Sequence, residues 1–149
     1  ASTLVLDKPP GLATQGGTKT SEHVDGLLDA LQDDAPVRPK LVHRLDKDTS
    51  GALLIARTPR AAAFFSKAFS NRSARKTYWA IVTGVPALDA GEIDLPLAKQ
   101  PGTGGEKMHV SEVAGQPSVT RYRVLDRAGN NAAWVELHPL TGRTHQLRV

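Results

Sequence analysis

Residues 43 to 51, with the sequence HRLDKDTSG, place a histidine, two cations, two carboxylates and two hydroxyls side by side. The run ALLIA follows immediately, and its continuous apolar character predicts a buried strand. Functional side chains usually lie on loops that a rigid scaffold holds in place. Asp46 is therefore the first candidate for a catalytic carboxylate at a cleft. Turn residues in solvated ion pairs would explain the same composition, and the spacing alone does not decide between the two.

The segment DKDTS, residues 46 to 50, also fits the D-x-D-x-T pattern of phosphatases that use an aspartate nucleophile and Mg²⁺. That chemistry needs an apolar strand that runs directly into the first aspartate. Here the residues before Asp46 are HRL, and the apolar strand comes after the aspartate. The order of the segments argues against a phosphatase.

The sequence from Arg57 to Lys76 contains six basic residues and no acidic residue. Such a run is typical of a surface that follows phosphates, although a solvated helix face has the same composition. Lys107, in the glycine-rich segment GTGGEKMHV, is predicted to belong to an RNA-contacting loop. An RNA-binding module without catalysis therefore stays open as an alternative. The six basic residues are Arg57, Arg60, Lys67, Arg72, Arg75 and Lys76.

Length and composition indicate one globular domain. The 149 residues are 40% hydrophobic and 23% charged, which is enough for a core and unlike disordered or coiled-coil sequences. The net charge of +4 and the pI near 9.6 favour a polyanionic partner. The absence of cysteine excludes disulfides, and the histidines show no metal-ligand spacing, so we predict no metal site. With no apolar run of membrane-spanning length and no signal-peptide pattern, we expect a cytoplasmic protein.

Periodicity predicts the elements that position these residues. Apolar side chains at helical spacing predict a helix from Glu22 to Asp34. Thr58 and Pro59 begin a second helix, whose apolar face would contain Ala61, Phe64, Phe65, Ala68 and Phe69. Residues 85–105 are predicted to be mainly connections, with a short strand at EIDLPL. The remaining strands are predicted at 3–8, 51–57, 76–84, 118–126, 132–139 and 142–149.

This order of elements predicts an α+β fold with a mainly antiparallel mixed sheet and two or three flanking helices. Four segments resemble, in the same order, the motifs of the RluA-type pseudouridine synthases. The central one is HRLD followed by TSG. The others are LDKPPGL (6–12), RKTYWAIVTG (75–84) and LTGRTHQLRV (140–149). The family's first motif often continues to a histidine, whereas this sequence has Gln15 in that region.

The resemblance implies roles for individual residues. Asp46 would be the carboxylate that drives cleavage of the glycosidic bond of a target uridine. Tyr78 would lie against the uracil ring, and Arg148 would pair with Asp46 and keep it ionised. Arg44 would occupy the space of the flipped nucleotide, and Arg143 would contact RNA. Without the resemblance, Tyr78 could be a packing residue and Arg148 a partner in a sheet-face ion pair.

The resemblance also implies the activity: isomerisation of uridine to pseudouridine in structured RNA, with large-subunit ribosomal RNA as the expected substrate. It implies no metal and no organic cofactor, and we expect a monomer whose partner is RNA. Residues 1–149 would form a pseudouridine synthase catalytic domain. This domain would be truncated at its C-terminus and would lack any N-terminal RNA-binding domain.

Overall fold

The computed structural model describes residues 1–17, 21–32, 36–102 and 107–149. The chain divides into two compact units, Ala1–Ala74 and Arg75–Val149. Each unit has its own antiparallel sheet. None of the helices in the described ranges is long and apolar enough to cross a bilayer.

The first unit is built on a three-stranded sheet in which β3 (Gly51–Ala56) lies between β1 (Thr3–Lys8) and β2 (Lys40–Leu41). Leu53 and Ile55 of this central strand are fully buried, which explains the unbroken apolar run that follows the charged loop. Two helical segments complete the unit. They are α1 (Val24–Leu27), continued by a 3₁₀ turn (Leu28–Leu31), and α2 (Pro59–Ser70).

The second unit contains a four-stranded sheet and a small hairpin. The sheet has the order β4-β9-β8-β5, and β6 pairs with β7. Ala133 and Val135 of β9 form part of the buried face. The six strands are β4 (Tyr78–Thr83), β5 (Ala90–Asp94), β6 (Leu97–Lys99), β7 (Met108–Val110), β8 (Val119–Ala128) and β9 (Ala132–Pro139).

The predicted α+β class is confirmed, and every ladder between the strands named above is antiparallel. The predicted start of α2 is also correct. The Oγ1 of Thr58 accepts a hydrogen bond of 3.2 Å from the amide of Ala61, and Pro59 occupies the first turn.

The predicted final strand at 142–149 is wrong. These residues form turns, in which the amides of Arg148 and Val149 both donate to the carbonyl of His145. His145 has a φ of 54°, in the left-handed region, so the backbone cannot continue as an extended strand through this residue.

The two helix predictions also need correction. The helix predicted from Glu22 to Asp34 is shorter, since its α-helical part ends at Leu27, and Asp33 and Asp34 lie outside the described residues. Phe64 was expected on the apolar face of α2, but it is 66% exposed.

Candidate active site

Asp46 lies, half-buried, in the loop between β2 and β3. The N-terminal segment after β1 holds this loop on both sides of the aspartate. The buried Oγ1 of Thr14 donates to the carbonyl of Leu45 at 2.6 Å and accepts from the amide of Leu45 at 3.1 Å. On the other side, the amide of Gly11 donates to the carbonyl of Lys47 at 2.9 Å. The backbone that carries Asp46 is therefore fixed by contacts distant in sequence, as a preorganised site requires.

The side chain of Lys8 also holds the Asp46 loop. Its side chain is 1% exposed, and its ammonium donates to the carbonyls of Pro9 (2.9 Å), Leu12 (2.7 Å) and Lys47 (3.0 Å). Three acceptors use all three donors of an ammonium group. Burial lowers the pKa of Lys8, while the negative charges of Asp48 and Asp46 act in the opposite direction. Lys8 thus brings a buried cation close to the candidate carboxylate.

His43 anchors the beginning of the loop. Its Nε2 accepts a 2.9 Å hydrogen bond from the amide of Leu54, and its ring stacks on Phe69 with a centroid distance of 4.3 Å and an interplanar angle of 21°. His43 therefore ties the loop to β3 and α2. Arg44, next to it, is exposed.

Tyr78 is the first residue of β4 and pairs with Leu137 of β9. It lies on the more buried side of the strand, whereas Trp79 and Ile81 are 67% and 75% exposed. Successive side chains of a strand point to opposite faces, so Tyr78 and Trp79 face in opposite directions. Of the two, Tyr78 is the residue that faces the interior.

Gln146 fixes the turn that carries Arg143 and Arg148. Its amide nitrogen donates to the carbonyl of Val119 at 3.0 Å and to the Oγ1 of Thr120 at 2.9 Å. Its amide oxygen accepts from the backbone amide of Arg143 at 2.9 Å. The guanidinium of Arg143 donates to Gln116 and Pro117, both at 2.9 Å. These contacts hold the turn against the start of β8 and leave Arg148 exposed.

Tyr78 and this turn lie at the same end of the second unit's sheet. β4 begins opposite the end of β9, and the turn follows β9 directly. A Cβ placed on Gly142 would be 3.8 Å from the Nζ of Lys76, so the segment before β4 lies beside the turn. Asp46 belongs to the first unit, and its predicted pairing with Arg148 stays a prediction.

The predicted RNA-binding residues differ in exposure. Arg60 and Lys67 are exposed and, seven residues apart on α2, share one helix face with the exposed Phe64. The other exposed members are Arg44, Arg72, Arg75 and Lys107, and the half-buried ones are Arg57, Lys76 and Arg143. In the described part of the chain, no group of three or more acidic or histidine side chains could hold a metal ion.

Sequence reasoning assigned no role to Lys8, Thr14 or Gln146. Each acts through partners far away in the chain, and for Thr14 and Gln146 a single sequence gives no sign of such contacts. For Lys8 one signal was visible, since a lysine at the end of an apolar strand needs hydrogen-bond partners if it is buried.

Comparison with known proteins identifies the family. A family model described as RNA pseudouridylate synthase matches residues 2–149. The chain is 40% identical over 146 residues to ribosomal large subunit pseudouridine synthase C of Rickettsia bellii, covering 98% of this chain and 48% of that protein. It is 39% identical over 146 residues to dual-specificity RNA pseudouridine synthase RluA of Escherichia coli, covering 98% of this chain and 65% of that protein.

A solved structure agrees with these sequence matches. The human protein RNA pseudouridylate synthase domain containing 4 superposes with a TM-score of 0.81 and 32% identity, over 99% of this chain and 59% of that chain. The chain belongs to the RNA pseudouridylate synthase family, and the expected RluA-type resemblance is confirmed. It spans 48% and 65% of the lengths of the two curated relatives.

Proposed function

We propose that this protein isomerises uridine to pseudouridine in structured RNA. The bond from N1 of uracil to C1′ breaks, a bond from C5 to C1′ forms, the C5 proton leaves and N1 gains a proton. The reaction conserves mass and needs no oxidant, reductant or co-substrate. The observation that carries the proposal is the family match over residues 2–149, which includes the whole Asp46 loop.

In this proposal Asp46 is the catalytic carboxylate. A base inside an RNA helix must leave its stack before its glycosidic bond can be reached, and the exposed Arg44 would fill the space that it vacates. Tyr78 would lie against the extruded uracil, and Arg148 would keep Asp46 ionised. The firm hold of Thr14, Gly11 and Lys8 on the Asp46 loop supports the assignment, since a reacting carboxylate must be held in place.

We further propose large-subunit ribosomal RNA as the substrate, on the support of the relative named ribosomal large subunit pseudouridine synthase C. The test is a map of pseudouridines in ribosomal RNA from cells with and without the gene. Pseudouridine retains a carbodiimide adduct that stops reverse transcription. Stops at defined uridines that vanish with the gene are expected. An unchanged map, with full-length protein also inactive on purified ribosomal RNA, would contradict the proposal.

The two alternatives, an RNA-binding module and a phosphatase, predict different outcomes. An RNA-binding module would bind the RNA without producing pseudouridine. A phosphatase would release phosphate from a small phosphate ester only with added Mg²⁺. We propose that isomerisation proceeds without metal or organic cofactor, so turnover should persist in excess chelator. Turnover that stops with chelator and returns with Mg²⁺ would contradict this.

We also propose that the protein acts in the cytosol as a monomer. Bacterial relatives support the location, while a relative from Arabidopsis thaliana is named a mitochondrial enzyme. A fluorescent fusion checks the location, and light scattering after size-exclusion chromatography checks the mass. An organellar signal or a dimer mass would contradict the respective statement.

A further inference from the structure

Glu136 of β9 collects side-chain hydrogen bonds on the exposed face of the second unit's sheet. Its carboxylate accepts from the Nε1 of Trp79 at 3.4 Å and from the Nη2 of Arg123 at 3.0 Å. The Nε2 of His138 lies 3.0 Å from the same carboxylate. The hydrogen bond from His138, followed by that from Trp79, lowers the pKa of Glu136. The group is therefore an ionised acceptor, and its side chain is only 16% exposed.

The network continues from His138 to Thr77. The Nδ1 of His138 lies 3.3 Å from the Oγ1 of Thr77. A carboxylate can only accept, so the proton of a neutral His138 ring is on Nε2, and Nδ1 accepts from the hydroxyl of Thr77. Glu136 thus holds Trp79 directly and Thr77 through His138.

Thr77 and Trp79 are the two neighbours of Tyr78 in the chain. In an extended segment they share one face, and Tyr78 points to the other. Tyr78 is also the first residue of β4, which is an edge strand of its sheet and has β9 as its neighbour. The ladder between β4 and β9 begins at Tyr78, and the side-chain contacts of Thr77 and Trp79 add to the backbone pairing at this end of the strand.

We propose that Glu136 is a positioning residue for Tyr78: by anchoring Thr77 and Trp79 on one face of β4, it sets the direction of the tyrosine on the other. This inference rests on the proposed function, in which Tyr78 contacts the uracil ring. Glu136 itself contacts neither substrate nor reacting atoms. Its loss should therefore slow the reaction through Tyr78 and leave RNA affinity unchanged.

The test compares Glu136→Gln with Glu92→Gln in the full-length protein. Glu92 is a matched control, because it also pairs with an arginine, Arg121, at 3.0 Å across the same sheet, but it lies on β5, at the opposite edge from β4. Turnover is followed as release of the C5 hydrogen from ribosomal RNA labelled with tritium at C5 of uridine. Glu136→Gln should lower kcat roughly 10- to 100-fold with KM unchanged. Glu92→Gln should match the wild-type protein.

A double-mutant cycle with Tyr78→Ala separates positioning from a general loss of structure. If Glu136 acts through Tyr78, adding Glu136→Gln to Tyr78→Ala, which lacks the ring to be positioned, should cause no further loss of kcat. Thr77→Val, which removes a single link, should reproduce part of the effect even if Glu136→Gln folds poorly. A kcat for Glu136→Gln equal to that of Glu92→Gln, or effects that multiply in the cycle, would overturn the inference.

Asp46→Asn, measured in parallel, keeps the two proposals apart. If Asp46→Asn is inactive while Glu136→Gln behaves like the control, the inference fails and the proposed function stands. If Asp46→Asn keeps normal turnover, the catalytic role proposed for Asp46 fails, and if the wild-type protein itself releases no tritium, the proposed function fails.

Discussion

At the scale of single residues, the ammonium of Lys8 is buried and fully hydrogen-bonded. Its three carbonyl acceptors come from two segments, one on either side of a long sequence gap. An unpaired charge in this position would cost several kcal/mol, whereas the satisfied ammonium joins the N-terminal segment to the Asp46 loop. The first prediction concerns this residue.

Replacing Lys8 by Met keeps most of the side-chain volume but leaves three carbonyls without their donor. We expect the free energy of unfolding to fall by about 3 kcal/mol, measured by urea denaturation. The control is Lys47→Met, since the side chain of Lys47 is exposed and only its carbonyl takes part in the network. That variant should stay within about 0.5 kcal/mol of the wild type. Equal stability of the two variants would show that Lys8 does not hold the loop.

At the scale of elements, the reciprocal hydrogen bonds between Thr14 and Leu45 join the N-terminal segment to the Asp46 loop. Thr14→Val keeps the shape and removes both bonds. We expect a loss of about 2 kcal/mol in stability and a fall in kcat of roughly tenfold, because Asp46 is then held less firmly.

Thr83→Val is the control for this variant, since Thr83 is exposed at the end of β4. It should change stability by less than about 0.5 kcal/mol and leave kcat unchanged. If Thr14→Val shows a normal kcat at temperatures where it is folded, the hydrogen bonds between Thr14 and Leu45 do not contribute to catalysis.

Elements with a clear period could be predicted from the sequence. β1, β3 and β9 were located because alternation or an unbroken apolar run directly reflects which faces are buried. β2, β6 and β7 are two or three residues long, and so short a segment carries no period. The sequence predicts a strand at 142–149 and misses the turn, because the side-chain contacts of Gln146 that fix this turn are made with residues of β8.

The candidate site, too, could be predicted from the sequence only in part. Asp46, Tyr78 and Arg148 are predicted as site residues because their motifs resemble those of a known family in the same order. The support provided by Thr14 and Lys8 depends on contacts between residues 31 and 39 positions apart, and local sequence patterns do not report such contacts.

At the scale of the whole molecule, RNA binding should depend on where positive charge lies as well as on its total. Arg60 and Lys67 share an exposed face of α2, so reversing both to Glu should weaken RNA binding. It should also reduce the log–log salt slope by roughly 0.7 to 0.9 for each phosphate that the protein no longer neutralises.

Lys40→Glu with Lys99→Glu changes the net charge equally at two exposed positions on other elements. This control should leave the slope nearly unchanged. If both double variants reduce the slope equally, the effect is one of net charge and α2 does not contact the phosphates. Fluorescence anisotropy with a labelled ribosomal RNA fragment provides the measurement.

The central claim is that Asp46 drives the isomerisation of uridine, and its most direct test is single-turnover tritium release by Asp46→Asn beside Asp48→Asn. Each change keeps the side-chain size and removes one negative charge from the same loop. We expect Asp46→Asn to abolish release, with RNA affinity retained, and Asp48→Asn to keep most of the wild-type rate. Near-normal release by Asp46→Asn, or loss of release only in Asp48→Asn, would contradict the claim.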